Sequence, residues 1–158
     1  MTYVVDTSSL IELFQKYPRG VFPKLWQAFE NLVDRRMLVS VIQVKEELRR
    51  EREGDQASKW ALHPSVRDLF AGPTAEEMEF LSSELASSKF RDAVPDYLRS
   101  AYEKADTYLI ARARVSCGTV VTEERYKPHG TKIPTICKDY DIDCVNLIGM
   151  MKRENWRF

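Results

Sequence analysis

The chain has 158 residues, of which 44% are hydrophobic, and its 24 basic residues balance its 24 acidic ones. This length predicts one domain over residues 1–158 with a substantial buried core. The balanced charge excludes a uniformly basic surface, so any basic surface that meets a nucleic acid has to be local.

Membrane-spanning and secretory segments are not expected. No run approaches the roughly 18 apolar residues of a membrane span. The first residues lead into a strand pattern without the charged and apolar regions of a signal peptide. Cys117, Cys137 and Cys144 are odd in number and lack CxxC spacing, which argues against a disulfide framework or a zinc site. We therefore expect reduced thiols in a cytoplasmic protein.

The chain begins with the pattern of a buried strand followed by helices. Consecutive apolar residues predict a strand over Thr2–Val5, buried on both faces of a parallel sheet. Ser9 and Glu12 have the capping-box spacing of a helix start. The apolar stripe of Phe22–Arg36 then predicts an amphipathic helix.

A second strand is predicted over Met37–Val39, and a helix follows it to about Arg52. Ser40 and Gln43 repeat the capping-box spacing at the start of that helix.

The second half of the sequence predicts more helices and two more strands. Gly118 fits the C-terminus of the central helix, and Pro134 fits the first turn of a later one. The predicted elements are a helix opened by Thr74 and Glu77, one or two helices over Tyr97–Ser116 after a start at Pro95, a strand at Thr119–Thr122, a helix at Ile133–Tyr140, a strand at Cys144–Leu147 and a helical turn at Ile148–Lys152. Strands that alternate with helices predict an α/β fold with a parallel sheet.

Asp6 directly follows the first predicted strand, at the edge of the sheet where ligands gather in such folds. Taken alone, an aspartate after a strand is as well explained by a turn or a helix cap. Two further carboxylates make the position informative.

Glu47 and Asp106 are predicted on or beside the apolar stripes of two helices. Glu47 follows Val44 by three residues, at the edge of a buried face, whereas Glu46 points elsewhere and is predicted to be an ordinary surface residue. Asp106 precedes Leu109 by three residues and lies on the same apolar stripe of its helix. A carboxylate on a buried stripe costs free energy unless it is paired or binds a cation. These residues and Asp6 are therefore predicted to meet.

Glu123 and Glu124 end the third predicted strand at the same edge. Four converging carboxylates without histidine or cysteine favour a hard cation, Mg²⁺ or Mn²⁺. Such a site can orient a water, lower its pKa and neutralise the charge that builds on a phosphodiester. No glycine-rich phosphate loop is present, so nucleotide-triphosphate chemistry is poorly supported.

The four acid-bearing segments resemble the PIN domain family, small metal-dependent ribonucleases that include many toxins of bacterial and archaeal toxin–antitoxin pairs. In chain order, the matching segments are YVVDTSSLI, VIQVKEEL, ADTYLIARA and VVTEE, which span most of the chain. The helical middle and the ending KIPTICKDYDIDCVNL are similar to a PIN-like branch known mainly as a domain of unknown function.

The resemblance implies a three-layer α/β/α sandwich with a central parallel sheet of four to five strands. It also implies which residues bind the metal and act in catalysis: Asp6, Glu47, Asp106 and Glu124. The family more often has Asp at the fourth position, and Glu123 is the alternative for that role.

The resemblance further implies that Ser8 and Thr122 match small polar residues that assist the site. The expected activity is that of a metal-dependent endoribonuclease, the toxin of a type II toxin–antitoxin pair. The alternative is a non-catalytic PIN-like module that binds protein or RNA. The expected partners are RNA, an antitoxin protein and a second copy of the chain.

The sequence lacks residues that two other kinds of site require. A haloacid-dehalogenase-type phosphatase needs a second Asp two residues after Asp6, where Ser8 stands. The run DYDID resembles the start of an EF-hand loop, but Cys144 replaces its glycine and Met150 its final glutamate. That run is therefore predicted to be a solvated turn.

Basic residues near the acids in sequence are candidates for holding the RNA backbone, although a solvated helix face is the more ordinary role. The expected nucleic-acid-binding residues are Arg49, Arg112, Lys127 and Lys132, and their basic neighbours are Lys45, Arg50, Arg52 and Arg114.

The tryptophans Trp26, Trp60 and Trp156 are candidates for base stacking, but core or partner contact is the better expectation. Aromatic residues near both ends, which add Phe29 and Phe158, are the only sequence sign of a partner surface.

Overall fold

The computed structural model describes residues 1–85, 105–128 and 132–158. In this part of the chain, four strands form one parallel sheet in the order β2-β1-β3-β4. The strands are β1 (Tyr3–Val5), β2 (Leu38–Val39), β3 (Thr119–Val121) and β4 (Asp143–Val145). The predicted α/β class and parallel sheet are confirmed.

Helices flank this sheet, and most begin or end within two residues of their predicted bounds. They are α1 (Thr7–Lys16), α2 (Pro23–Asp34), α3 (Ile42–Glu51), α4 (Gln56–Ala61), a 3₁₀ helix (Pro64–Phe70), α5 (Ala75–Leu85), α6 (Ala105–Ser116), α7 (Ile133–Asp139) and α8 (Leu147–Arg153). The predicted start at Pro95 and the first residues of Tyr97–Ser116 lie outside the described residues. No helix in the described ranges is long and apolar enough to cross a membrane.

The central position of β1 follows from its composition. Tyr3, Val4 and Val5 are all at most 1% exposed, because helices cover both faces of the strand and neighbours pair both of its edges. Parallel pairing places the carboxyl ends of all four strands at one edge of the sheet. Asp6, the next residue, is therefore delivered to the middle of that edge.

Both predicted capping boxes are wrong. Asp6 caps α1, since its Oδ1 accepts the Thr7 N–H at 2.7 Å, and Ser9 lies buried inside the helix. Ser40 does not cap α3, because its hydroxyl donates to the Val5 carbonyl at 2.7 Å. In both cases the strand ends directly before the helix, and the serine hydroxyl bonds to a residue distant in sequence instead of capping the helix.

Thr74 and Glu77 open α5 as predicted, and the structure shows that they do so as a capping box. The Thr74 N–H donates to Glu77 Oε2 at 3.1 Å, and the Glu77 N–H donates to Thr74 Oγ1 at 3.2 Å. These two bonds satisfy backbone donors that the first helical turn leaves unpaired.

Gly118 ends α6 as predicted, but for another reason. The left-handed residue is Cys117, with φ of 53°, and the Gly118 N–H donates to the Ala113 carbonyl at 2.9 Å. A Cβ on Gly118 would lie 2.8 Å from the Thr2 carbonyl oxygen. Glycine is needed here because the backbone just before β1 passes too close for any side chain.

Aromatic rings fill one part of the core beside α1 and α2. The ring centroids of Phe14, Trp26, Phe29, Trp60 and Phe70 lie 4.7–5.9 Å from their neighbours. Because Trp26 and Phe29 are at most 3% exposed, the expectation that they offer a partner surface is wrong.

At the other end of the chain, the Trp156 ring lies 6.1 Å from the ring of Phe158. Trp156 packs partly against the core, whereas Phe158 is 63% exposed. A partner surface at the C-terminus therefore remains a prediction that concerns Phe158 above all.

Candidate active site at the carboxyl edge of the sheet

Asp6 is the most firmly held acid of the site. It is 4% exposed, and its Oδ2 accepts hydrogen bonds from Ser8 Oγ at 2.7 Å and from Thr122 Oγ1 at 2.9 Å. Burial raises the pKa of this carboxyl group, and the hydrogen bonds from Ser8, Thr122 and Thr7 oppose that rise. With both oxygens engaged, the carboxylate has one orientation.

Glu47 approaches Asp6 from the second turn of α3. Its Oε2 accepts a hydrogen bond of 2.6 Å from Thr7 Oγ1, and its Oε1 accepts one of 3.3 Å from the Ala105 N–H. Burial raises its pKa, and the charge of Asp6 raises it further. The predicted placement of Glu47 at the edge of a buried face is correct, and Glu46 is the surface residue, bonded to Arg49.

Asp106, in the first turn of α6, lies within electrostatic reach of the other three predicted acids. Burial is the main cause that raises its pKa to about 7, and the charges of Asp6, Glu124 and Glu47 follow in that order. The ammonium of Lys132 acts in the opposite direction. The charges of these three acids thus act together on Asp106.

Glu123 and Glu124, which follow β3, point to different partners. Glu123 Oε1 accepts from Ser9 Oγ at 3.2 Å and from the Leu147 N–H at 2.9 Å, so this carboxylate joins α1 to the start of α8. Glu124 Oε2 accepts from the Ile133 N–H at the start of α7, and its charge acts on Asp106.

Three consecutive hydroxyls in the first turn of α1 each hold a different acid. Thr7 donates to Glu47, Ser8 to Asp6 and Ser9 to Glu123. Ser8 Oγ also accepts the Glu123 N–H at 3.1 Å, which ties the end of β3 to α1. Sequence reasoning found Ser8 but missed the roles of Thr7 and Ser9. The signal was present in the run Thr7–Ser9, because three successive hydroxyls at a helix start project in three directions.

Arg112 is not a nucleic-acid contact, and that prediction is wrong. The residue is 7% exposed, and its guanidinium pairs with Glu77 at 3.0 Å. Its remaining N–H groups donate to the carbonyls of Ser40, Ala71 and Gly72 at 2.6–2.9 Å. Arg112 therefore fastens α6 to the start of α5 and to the end of β2.

The other three predicted RNA contacts are exposed. Arg49 forms a surface ion pair with Glu46 at 2.8 Å, whereas Lys127 and Lys132 follow β3 on the side of the acids. Only Lys132 has a described electrostatic effect on the site, through Asp106.

Comparison with known proteins places this arrangement in a family. Residues 3–158 match the family described as a domain of unknown function, DUF4411. The chain belongs to the DUF4411 family. No curated protein matches it.

This DUF4411 chain also has a PIN-like fold. It is similar to a chain in the crystal structure of VapBC2 from Rickettsia felis bound to a DNA fragment from their promoter. The TM-score is 0.54 at 14% sequence identity, over 92% of this chain and 98% of the other. At that identity the likeness concerns the fold, and it confirms the PIN-like architecture predicted from the acid-bearing segments.

The donor set of the DUF4411 site suits a hard divalent cation. All four candidate ligands are carboxylates, and the charges of three of them raise the pKa of Asp106. Among the described residues, no three acidic, cysteine or histidine side chains form a ready group for one ion. Mg²⁺ commonly takes only one or two protein carboxylates and keeps several waters, so two of these acids are sufficient ligands.

Proposed function

We propose that this DUF4411 chain is a metal-dependent endoribonuclease that hydrolyses phosphodiester bonds of single-stranded RNA. The observation that carries the proposal is that the charges of Asp6, Glu47 and Glu124 all act on Asp106 at the carboxyl edge of a PIN-like sheet. Concentrated negative charge at this edge destabilises the fold unless it serves a cation. Ligands of α/β folds gather at the same edge.

Asp6 and Asp106 are the proposed principal ligands of Mg²⁺ or Mn²⁺, with Glu47 and Glu124 beside them. When bound, the cation supplies charge neutralisation at the phosphate and lowers the pKa of a bound water. The residues of the chain fix the geometry. Thr7, Ser8 and Thr122 orient the carboxylates through hydrogen bonds of 2.6–2.9 Å, so few side chains have to reorder when the substrate arrives.

The products expected from this site carry a 5′-phosphate and a 3′-hydroxyl. The alternative route through the RNA 2′-hydroxyl uses acid–base groups such as a histidine pair. Of the two histidines, His63 bonds to Ser65 beside the 3₁₀ helix and His129 lies outside the described residues. A hydrolytic route therefore fits the acids better.

The proposal includes a protein partner that controls the nuclease. The similar fold in VapBC2 belongs to a complex, which supports an antitoxin as that partner and the toxin of a type II pair as the cellular role. A second copy of the chain is the other proposed partner, and Phe158 is an exposed aromatic residue available to it.

The test is cleavage of labelled single-stranded RNA with Mg²⁺, with Mn²⁺ and with EDTA. Asp6→Asn keeps the shape of the side chain and removes its charge. Its fold should survive, because the Ser8 and Thr122 hydroxyls can rotate to accept from the new amide. Loss of several kcal/mol of charge stabilisation should lower the rate by at least ~100-fold.

Glu46→Gln is the matched control, since Glu46 lies on the same helix as Glu47 but bonds only to surface Arg49. It should cleave as the wild type does. Equal cleavage in EDTA, or full activity of Asp6→Asn, would replace the nuclease proposal with the non-catalytic interaction module.

A further inference from the structure

A pocket of about 610 Å³ opens beside the acids, between the segment after β3, helix α7 and the outer edge of β4. Thr122 and Glu124 line it, so it adjoins the candidate active site directly. Ligand pockets in proteins commonly measure about 300–1,000 Å³, which includes the size of a nucleotide.

The rim of this pocket carries an exposed aromatic ring with a cation beside it. Tyr126 is 47% exposed, well above the exposure of the core aromatics. The Lys138 ammonium lies 4.7 Å from the centre of the Tyr126 ring and 3.5 Å from its hydroxyl. Lys138 covers one face of the Tyr126 ring, and the exposed part of the ring is available for stacking.

The acidic residues that line the pocket favour a neutral group inside it. Asp141 and Asp143 both line the pocket, and Asp143 is paired with Arg153. The exposed Asp141 carboxylate repels phosphate. The described residues that line the pocket therefore offer an aromatic face and one cation near the acids, but no cluster of cations for a second phosphate.

We propose that this pocket, the Tyr126 pocket, holds one nucleobase of a single-stranded RNA whose neighbouring phosphate lies at the acids. Tyr126 stacks on the base, and Lys138 contacts the phosphate that follows it. This inference rests on the proposed function for its ligand, and it adds a site that positions the strand. Base–aromatic stacking tolerates every base and is lost when the ring is removed.

The experiment measures RNA affinity separately from cleavage. Asp6→Asn protein in Mg²⁺ is titrated with labelled hexauridylate, and in parallel with a hexamer of abasic ribose phosphate, by fluorescence anisotropy. Into this background are introduced Tyr126→Ala, Tyr126→Phe, Lys138→Gln and the control Lys24→Gln. Lys24 is an exposed lysine on α2, so the control makes the same charge change elsewhere.

Tyr126→Ala should weaken hexauridylate binding by about tenfold or more and leave binding of the abasic hexamer unchanged. Tyr126→Phe keeps the ring and should bind nearly as the parent does. Lys138→Gln should weaken both ligands, and Lys24→Gln neither. An equal loss on both ligands for Tyr126→Ala, or no loss, would overturn the base pocket and favour a peptide partner on the edge of β4.

The two proposals fail in different ways. If wild-type protein does not cleave RNA but the affinity pattern holds, the nuclease is wrong and the pocket stands. If the protein cleaves RNA and Tyr126→Ala changes neither affinity nor KM, the pocket is wrong and the nuclease stands.

Discussion

Thr7 Oγ1 donates a hydrogen bond of 2.6 Å to Glu47 Oε2, across 40 residues of sequence. Thr7 is also the residue whose N–H is capped by Asp6. One residue therefore sets the positions of two acids that come from different elements. Supporting hydrogen bonds of this kind orient metal ligands and are worth about 10- to 100-fold in metal affinity.

Thr7→Val should weaken Mn²⁺ binding by about 10- to 100-fold, because it keeps the side-chain shape and removes the donor that orients Glu47. Isothermal titration calorimetry measures the affinity directly. Thr7→Ser retains the hydroxyl and should bind Mn²⁺ as the wild type does. Equal affinities for the valine and serine variants would show that Glu47 needs no orienting partner.

Glu124→Gln and Glu123→Ala should separate metal binding from stability. The glutamine at 124 still accepts the Ile133 N–H but has lost the charge that acts on Asp106, so metal affinity should fall while the melting temperature holds. Alanine at 123 removes the acceptor for Leu147 and Ser9. That loss should cost about 1–2 kcal/mol of unfolding free energy, as a lost helix cap does. The reverse pattern would make Glu123 the fourth acid.

The metal-free protein should become more stable as pH falls from 8 to 5. Asp106 has a pKa of about 7 in the folded protein against an ordinary pKa of 3.8, so between these values the folded state binds more protons than the unfolded one. Stability is then full at the acidic end of this window and declines as pH rises through 7. Asp6 and Glu47, whose pKa values burial also raises, act in the same direction.

Asp106→Asn should remove most of that pH dependence. In EDTA at pH 8 it should stabilise the fold by on the order of 4 kcal/mol, following about 1.4 kcal/mol per pKa unit. Urea unfolding at pH 5 and pH 8 provides the measurement. A wild type as stable at pH 8 as at pH 5 would contradict the crowding of charge around Asp106.

Arg112→Met should destabilise the protein by about 3–5 kcal/mol, because it leaves Glu77 charged and buried without its partner. RNA affinity of the folded fraction should not change. Arg114→Met removes an exposed arginine from the same helix, one with a long bond of 3.4 Å to the Tyr140 carbonyl, and should stay within about 0.5 kcal/mol. A loss of RNA binding without loss of stability at Arg112 would restore the original prediction.

The acids were predictable from the sequence because each breaks a local pattern. Glu47 sits beside Val44 and Leu48, which are both 0% exposed, and Asp106 precedes the buried Leu109 and Ile110. Parallel strands then fix the edge where they meet Asp6. The apolar stripe of a helix and the parallel direction of the strands can both be inferred from the sequence pattern, without knowledge of individual tertiary contacts.

Arg112 and the two false capping boxes depended on contacts that no local pattern reports. Helix α6 is buried at every position from Tyr108 to Ala113, so the assumption of one polar face failed for its arginine. Ser9 and Ser40 have the spacing of caps, but their hydroxyls bond to Glu123 and Val5 instead. The partner of each lies 35 or more positions away.

The strand order also sets when the site can exist during synthesis. Asp6 leaves the ribosome well before the Thr122 hydroxyl that holds it, because that hydroxyl is 116 positions later. At about 5–20 residues per second, roughly 6 to 20 s separate the emergence of the two. Because β1 needs β3 to complete its pairing, the nascent chain passes this interval without an assembled site. The ribosome that makes this protein, itself built of RNA, therefore completes this stretch of synthesis before the acids are in place.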